Sequence, residues 1–272
     1  MFVAERLRNG AVSCTEGFFV GMAGEYIIET RELTKEFKGF VAVSGVDLKV
    51  RRGSIHALIG PNGAGKTTVF NLLTKFLEPS RGQIFYEGQD VTRGKPADLA
   101  REGMVRSFQI SATFPHLTVL ENVRVALQRK VGTSFQFWRS EASLEVLNER
   151  ALELIEAVGL AGFEASSAAE LPYGRKRALE IATTLALEPK MMLLDEPTAG
   201  MGHEDVGRVT ELIRKVSANR TVLMVEHNLS VVADLSDVIT VLQRGRVLAE
   251  GSYDEVSTNP EVREAYMGTG HG

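Results

Sequence analysis

Of the 272 residues, only one is cysteine, Cys14, and one is tryptophan, Trp138. A single thiol excludes a disulfide framework, which fits a reducing compartment, and Cys14 reads as structural rather than reactive. No apolar run approaches the ~20 residues needed to cross a bilayer as a helix. Any work at a membrane would therefore need spanning helices from other chains. Basic residues are not in excess: the formal net charge is -4. That disfavours a nucleic-acid partner, whose binder would carry a basic face. Internal repeats and low-complexity tracts are also lacking. The stretch Met1–Gly24 lacks the continuous apolar core of a signal peptide. It reads as a poorly ordered extension, with Met22 as an alternative start.

What is present is ordinary globular material, 44% hydrophobic and 24% charged, enough for a self-sufficient core. Tyr26–Glu29, Val46–Val50, Ser54–Ile59 and Gln83–Glu87 read as strands. Lys66–Phe76, Val119–Gln128, Ala142–Val158, Arg175–Leu187 and Asp205–Ser217 carry helical periodicity. Two strongly apolar strands follow, Met191–Leu194 and Thr221–Val225, separated by the last of those helices. Strand–helix–strand alternation implies a parallel sheet. Ile239–Leu242 and Val247–Ala249 flank Arg244-Gly245 as a hairpin, and Tyr253–Tyr266 reads as one closing helix.

Three features bear chemistry. Gly60-Pro61-Asn62-Gly63-Ala64-Gly65-Lys66-Thr67-Thr68 matches G-x-x-x-x-G-K-[ST]. Its glycines let successive backbone N–H groups point inward at phosphate oxygens, and the following helix presents its positive end to the same anion. Lys66 would reach the β- and γ-phosphates, and the Thr67 hydroxyl would ligate Mg²⁺. The second feature is Asp195-Glu196, at the end of an apolar strand. This is a Walker B arrangement in which Asp195 would hold Mg²⁺ through water and Glu196 would polarise the attacking water as general base. The third is His227, just beyond a further strand of the same sheet. Open α/β sheets bind ligands at the carboxyl edge of their strands, where all three would converge.

This set resembles the nucleotide-binding subunit of ABC transporters. The resemblance covers about Glu25 to Gly268. It implies a P-loop NTPase α/β fold: a RecA-like parallel sheet core, an antiparallel β subdomain and a helical subdomain inserted at about 110–187. Residues 25–268 would form one nucleotide-binding domain, with 269–272 a tail. Phe37 matches the aromatic that stacks on adenine, and Gln109 the Q-loop glutamine that senses Mg²⁺ and belongs to the catalytic set with Glu196 and His227. Leu171-Pro172-Tyr173-Gly174-Arg175 occupies the signature position, usually Leu-Ser-Gly-Gly-Gln, and departs from it in three of five places. Pro172 replaces the serine. Tyr173, Gly174 and Arg175 would face the nucleotide of a second subunit; Arg175 either adds charge toward the phosphate or projects into solvent. Gly202 stands where many relatives carry the D-loop aspartate.

Several stretches look specifically like the ATPases of branched-chain amino acid uptake systems: Phe70–Thr74, Phe114–Val123, Ala249-Glu250-Gly251 and the tail Asn259–Gly268. The resemblance implies ATP and Mg²⁺ as cofactors and a second ATPase subunit, identical or similar. It further implies two membrane permeases, a periplasmic or extracellular solute-binding protein, and a place on the cytoplasmic face of the inner membrane. Other readings are ATPases of a lipopolysaccharide-type exporter or of a urea or amide importer, and a nucleotide-binding regulatory module without hydrolysis. A soluble DNA- or ribosome-directed ABC ATPase would need a coiled-coil insertion or tandem domains, for which the chain has no room.

Overall fold

Strands that are apolar at every position need cover on both faces. β4 (Ile55–Ile59), β8 (Met191–Asp195) and β9 (Thr221–Val225) are buried at all five positions each. The computed structural model, which describes residues 24–107, 113–131 and 147–267, places them inside a six-stranded sheet of order β11-β10-β4-β9-β8-β7. Here β7 is Met104–Ser107, β10 Val238–Gln243 and β11 Arg246–Gly251. The pairs β10–β4, β4–β9, β9–β8 and β8–β7 are parallel, and only the hairpin β10–β11 is antiparallel. The expected parallel sheet and hairpin are therefore both present.

Period-2 alternation divides the core into two. Ala57, Ile59, Met192, Leu194, Val222 and Met224 point to one face, packed with the helices α3 (Val119–Val131), α4 (Asn148–Ala157), α5 (Tyr173–Leu185) and α6 (His203–Ser217). Leu58, Leu193, Leu223 and Val225 point to the other, against α1 (Lys66–Leu73) and a second sheet. That sheet is antiparallel: β1 (Tyr26–Phe37), β2 (Phe40–Val46), β3 (Lys49–Arg51), β5 (Arg81–Tyr86) and β6 (Gln89–Asp90). Each fully buried aliphatic side chain contributes about 1.5–3 kcal/mol.

Several elements differ from the sequence expectations. The strand expected at Val46–Val50 is split, because β2 and β3 pair with different halves of β1. At the break the Thr30 hydroxyl donates to the Val46 carbonyl at 2.8 Å and accepts the Leu48 N–H at 2.9 Å. α1 stops at Leu73 rather than Phe76: the Thr74 hydroxyl bonds back to the Phe70 carbonyl and Lys75 turns left-handed at φ 63°. α5 begins at Tyr173, two residues early, so the signature lies in its first turn. The closing helix is two, α8 (Tyr253–Thr258) and α9 (Pro260–Met267), since a residue before proline disfavours helical backbone and Asn259 is extended at ψ 122°. Short elements unanticipated from sequence are β6, α2 (Pro96–Glu102), β7 and α7 (Leu229–Leu235). Gln109, Trp138, most of the extension at 1–24 and the tail lie outside the described residues.

Candidate functional site

Because β4, β8 and β9 are parallel neighbours, the segments leaving their carboxyl ends emerge side by side. The phosphate loop leaves β4, the carboxylate pair ends β8, and Glu226-His227 follows β9. At the loop entrance Gly60 has φ +147°, and an added Cβ would lie 2.1 Å from the Leu242 carbonyl oxygen, so no side chain fits there. The N-cap of α1 is Gly65, with no capping side chain, which leaves the helix's positive end open to an anion. Asn62, Gly63 and Thr67 are exposed and Pro61 and Thr68 half-buried, whereas Ala64 is buried beneath the loop.

Lys66, 6% exposed, folds back onto its own loop: Nζ donates to the Gly60 carbonyl at 2.6 Å and to Pro61 at 3.0 Å. Burial lowers its pKa, and the nearby charge of Glu196 opposes that shift. The loop lysine and the second carboxylate are thus electrostatically coupled. Glu196 sits in the left-handed region at φ 46°, where a non-glycine residue costs on the order of 1–3 kcal/mol. That turn carries its carboxylate onto His227, whose Nε2 lies 2.8 Å from Glu196 Oε1. Asp195 is 5% exposed and ion-paired with Arg106 of β7 at 2.5 Å, while the other Arg106 nitrogen donates to Asn71 of α1 at 2.6 Å.

Two of these participants were not singled out from the sequence. Arg106 carried a weak signal, a cation in the otherwise apolar-and-serine strand Met104–Ser107. Glu226 read only as the residue before His227. Its carboxylate, 3% exposed, accepts from the Thr198 N–H (3.0 Å) and hydroxyl (2.5 Å), and from the N–H groups of His227 (2.8 Å) and Asn228 (3.1 Å). It ties the loop after β8 to the loop after β9, and so sets where His227 meets Glu196.

Phe37 ends β1, 41% exposed, with Lys35 Nζ 5.1 Å from its ring centroid and Phe40 opposite it across the turn. An exposed aromatic face of this kind suits base stacking. In the signature, Tyr173 is exposed and lines a cavity of about 130 Å³ together with Asp195 and Glu196. Gly174 packs on Asp205, where a Cβ would fall 2.6 Å from Oδ1. Arg175 lies over the Phe163 ring at 4.0 Å, so its guanidinium is engaged within its own subunit, a contact that neither reading from the sequence anticipated.

The residues offered for Mg²⁺ are oxygen donors: Thr67, Asp195 and Gln109, the last outside the described residues. Among the described residues no group of three or more His, Cys, Asp or Glu side chains could hold a metal alone. Oxygen donors suit Mg²⁺, which keeps waters and binds through one or two protein oxygens plus substrate phosphates. No helix of the described residues is long and apolar enough to cross a membrane.

Comparison with known proteins identifies the family and the fold. The ABC transporter family matches residues 43–199, and the branched-chain amino acid ATP-binding cassette transporter family matches residues 246–272. The chain is 40% identical over 253 residues to the high-affinity branched-chain amino acid transport ATP-binding protein BraF of Pseudomonas aeruginosa, covering 89% of this chain and 98% of that one. It is 37% identical over 254 residues to LivG of Escherichia coli, with the same coverages of 89% and 98%. Among solved structures it is similar to a nucleotide-free ATP-binding cassette from an ABC transporter, with TM-score 0.77, 30% identity and coverage of 89% and 98%. The ADP conformation of the cassette MJ1267 gives TM-score 0.77 at 29% identity, covering 89% and 99%. The chain therefore belongs to the ATP-binding cassettes of ABC transporters, the ATPase subunits of those systems, and within them to the branched-chain amino acid group.

Proposed function

We propose that this chain binds and hydrolyses ATP at the phosphate loop to power uptake of branched-chain amino acids through a membrane permease pair. The observation that carries the chemistry is the meeting of Lys66, Glu196 and His227 at one edge of the sheet. The cargo reading draws on the branched-chain relatives and on the C-terminal match at 246–272.

The roles follow from the contacts. Lys66 exchanges the carbonyls of Gly60 and Pro61 for phosphate oxygens, while the loop N–H groups from Gly60 to Thr68 surround the same phosphates. Thr67 and Asp195 are the residues that would hold Mg²⁺, with Gln109 as a third; when bound, the ion would neutralise phosphate charge. Glu196 takes the proton of the attacking water, and His227 holds the Glu196 carboxylate in place. Phe37 stacks on adenine. Two subunits, identical or similar, sandwich the nucleotides, so that Tyr173 and Gly174 act on the nucleotide of the second subunit, and Arg175 joins them once it leaves the Phe163 ring.

Residues 25–268 act as one nucleotide-binding domain, and the helical region around 110–187 transmits its closure to the permeases on the cytoplasmic face of the inner membrane. An apolar cavity of about 500 Å³, lined by Phe76, Leu99, Phe114 and Val125 among others, is bordered by β7, α3 and α5. It supports a permease contact at that edge.

The test is reconstitution of the chain with its permeases and a solute-binding protein in vesicles. ATP-dependent leucine uptake, abolished by Lys66→Ala, is expected. ATP hydrolysis without uptake of any branched-chain amino acid would sink the cargo reading. Outward lipid movement in its place would favour export.

A further inference from the structure

Arg106 ties the buried carboxylate of Asp195 to the strand and helix beside it. β7 runs parallel to β8 with Arg106 opposite Leu193, and Asp195 lies two residues further along β8, on the same face. Leu193 belongs to the core on the α1 side of the sheet, so both charged side chains project toward α1. Arg106 Nη2 donates to Asp195 Oδ2 at 2.5 Å, and Nη1 donates to Asn71 Oδ1 at 2.6 Å. The guanidinium carbon lies 5.5 Å from the Phe70 ring centroid and 5.8 Å from that of Phe76. An anion, an amide oxygen and two rings thus hold one planar cation in place.

This pair sits where charge is poorly screened. The Asp195 side chain is 6% exposed and that of Arg106 12%, and salt screens a buried pair far less than a surface one. The neighbouring carboxylate, Glu196, is electrostatically coupled to Lys66. Each of the two anions is thus matched by a cation, and the formal charges of the four groups cancel. A free divalent cation approaching Asp195 meets the guanidinium charge at close range, and the repulsion offsets the pull of the carboxylate. A nucleotide polyphosphate supplies the negative charge that the protein withholds.

We propose that Arg106 is the resident counter-cation of Asp195, a specificity-determining residue that holds free divalent cations off that carboxylate until a nucleotide polyphosphate brings its own negative charge. Metal and nucleotide then enter as one ligand, and Mg²⁺ alone does not load the site. Arg106 acts through Asp195 and not on a reacting atom. The inference rests on the reading of Asp195 as a metal-holding residue made above.

The experiment measures binding of Mn²⁺ alone, by loss of the free ion's electron-spin resonance signal, to full-length wild type, Arg106→Gln, Arg106→Lys, Asp195→Asn and the double variant Arg106→Gln/Asp195→Asn. Melting with and without Mg²⁺, and calorimetry of ADP with and without Mg²⁺, are read beside it. Arg106→Gln keeps a polar side chain and removes the charge. It should bind free Mn²⁺ at least about tenfold more tightly than wild type, because a nearby like charge is gone, and Mg²⁺ alone should raise its melting temperature. Arg106→Lys, which keeps the charge, should behave as wild type, and the double variant should lose the gain. Lost packing alone would not raise metal affinity. Equal Mn²⁺ affinity in wild type and Arg106→Gln would overturn the proposal. Wild type that binds Mn²⁺ as tightly without nucleotide as with ADP would overturn it too, and that comparison needs no Arg106 variant. If Mg²⁺ tightens ADP binding equally in wild type and Asp195→Asn, the metal role of Asp195 falls instead.

Discussion

Glu226 holds the backbone at His227, the residue proposed to orient the catalytic base, and replacing it with glutamine measures how firmly. The carboxylate accepts four hydrogen bonds, two from Thr198 and one each from the N–H groups of His227 and Asn228, at 2.5–3.1 Å. A glutamine of the same shape keeps one acceptor oxygen and replaces the other with an NH₂, which cannot accept. Two of the four bonds are then lost, and their buried donors face another donor. A hydrogen bond to a charged group contributes about 1.5–3 kcal/mol, so Glu226→Gln should cost about 3–5 kcal/mol. A domain with about 8 kcal/mol of stability or more, within the usual range of about 5–15, stays folded at 25 °C after that loss. Thr198→Val removes a single hydroxyl donor and should cost about 1.5–3 kcal/mol. Equilibrium denaturation in urea reads both, and the ATPase rate of Glu226→Gln should fall as His227 loses its fixed place. A cost below about 1 kcal/mol for Glu226→Gln, or a smaller one than for Thr198→Val, would refute this reasoning.

Three further outcomes are expected. His56 is fully buried on β4, with Nε2 2.7 Å from the Thr240 hydroxyl, and burial lowers its pKa from 6.5 to about 4. The folded state therefore binds fewer protons than the unfolded chain between those values. Stability is complete above about pH 6.5 and falls by about 3 kcal/mol as pH drops toward 4; His56→Leu should flatten that part of the pH–stability curve, and an unchanged slope would contradict the assignment. Arg106→Leu leaves the buried Asp195 carboxylate without its cation and should cost about 3–5 kcal/mol. Adding Asp195→Asn should recover part of that loss in melting experiments; strict additivity of the two would argue against the pair. Phe37→Ala should weaken ATP and GTP binding alike, by about 1–3 kcal/mol, because stacking does not distinguish the bases; Phe37→Trp should restore affinity.

The parts of the site legible in the sequence are those whose chemistry is local. The phosphate loop is nine consecutive residues between an apolar strand and a helix, and Asp195-Glu196 is a dipeptide at the end of an all-buried strand. Period and turn signals therefore placed both, and the parallel sheet that joins them. Glu226 and Arg106 were not legible because their partners are distant in the chain. Thr198 lies 28 residues from Glu226, and Asp195 lies 89 from Arg106. Nothing near either residue in sequence announces its partner. The split of Val46–Val50 had a similar origin: hydrophobic alternation runs through it, and only the Thr30 hydroxyl on another strand explains the break. The division of α8 from α9 was visible in Asn259-Pro260, where helical backbone is disfavoured.

The central claim is that Glu196, turned onto His227 beside Lys66, is the base that activates water at the phosphates. Single-turnover phosphate release from Mg·ATP by Glu196→Gln, with nucleotide binding measured in parallel, tests it most directly. Binding should persist within a fewfold while hydrolysis falls at least about 100-fold, the lower end of what a general base contributes. Hydrolysis at near wild-type rate with ATP bound would contradict the account.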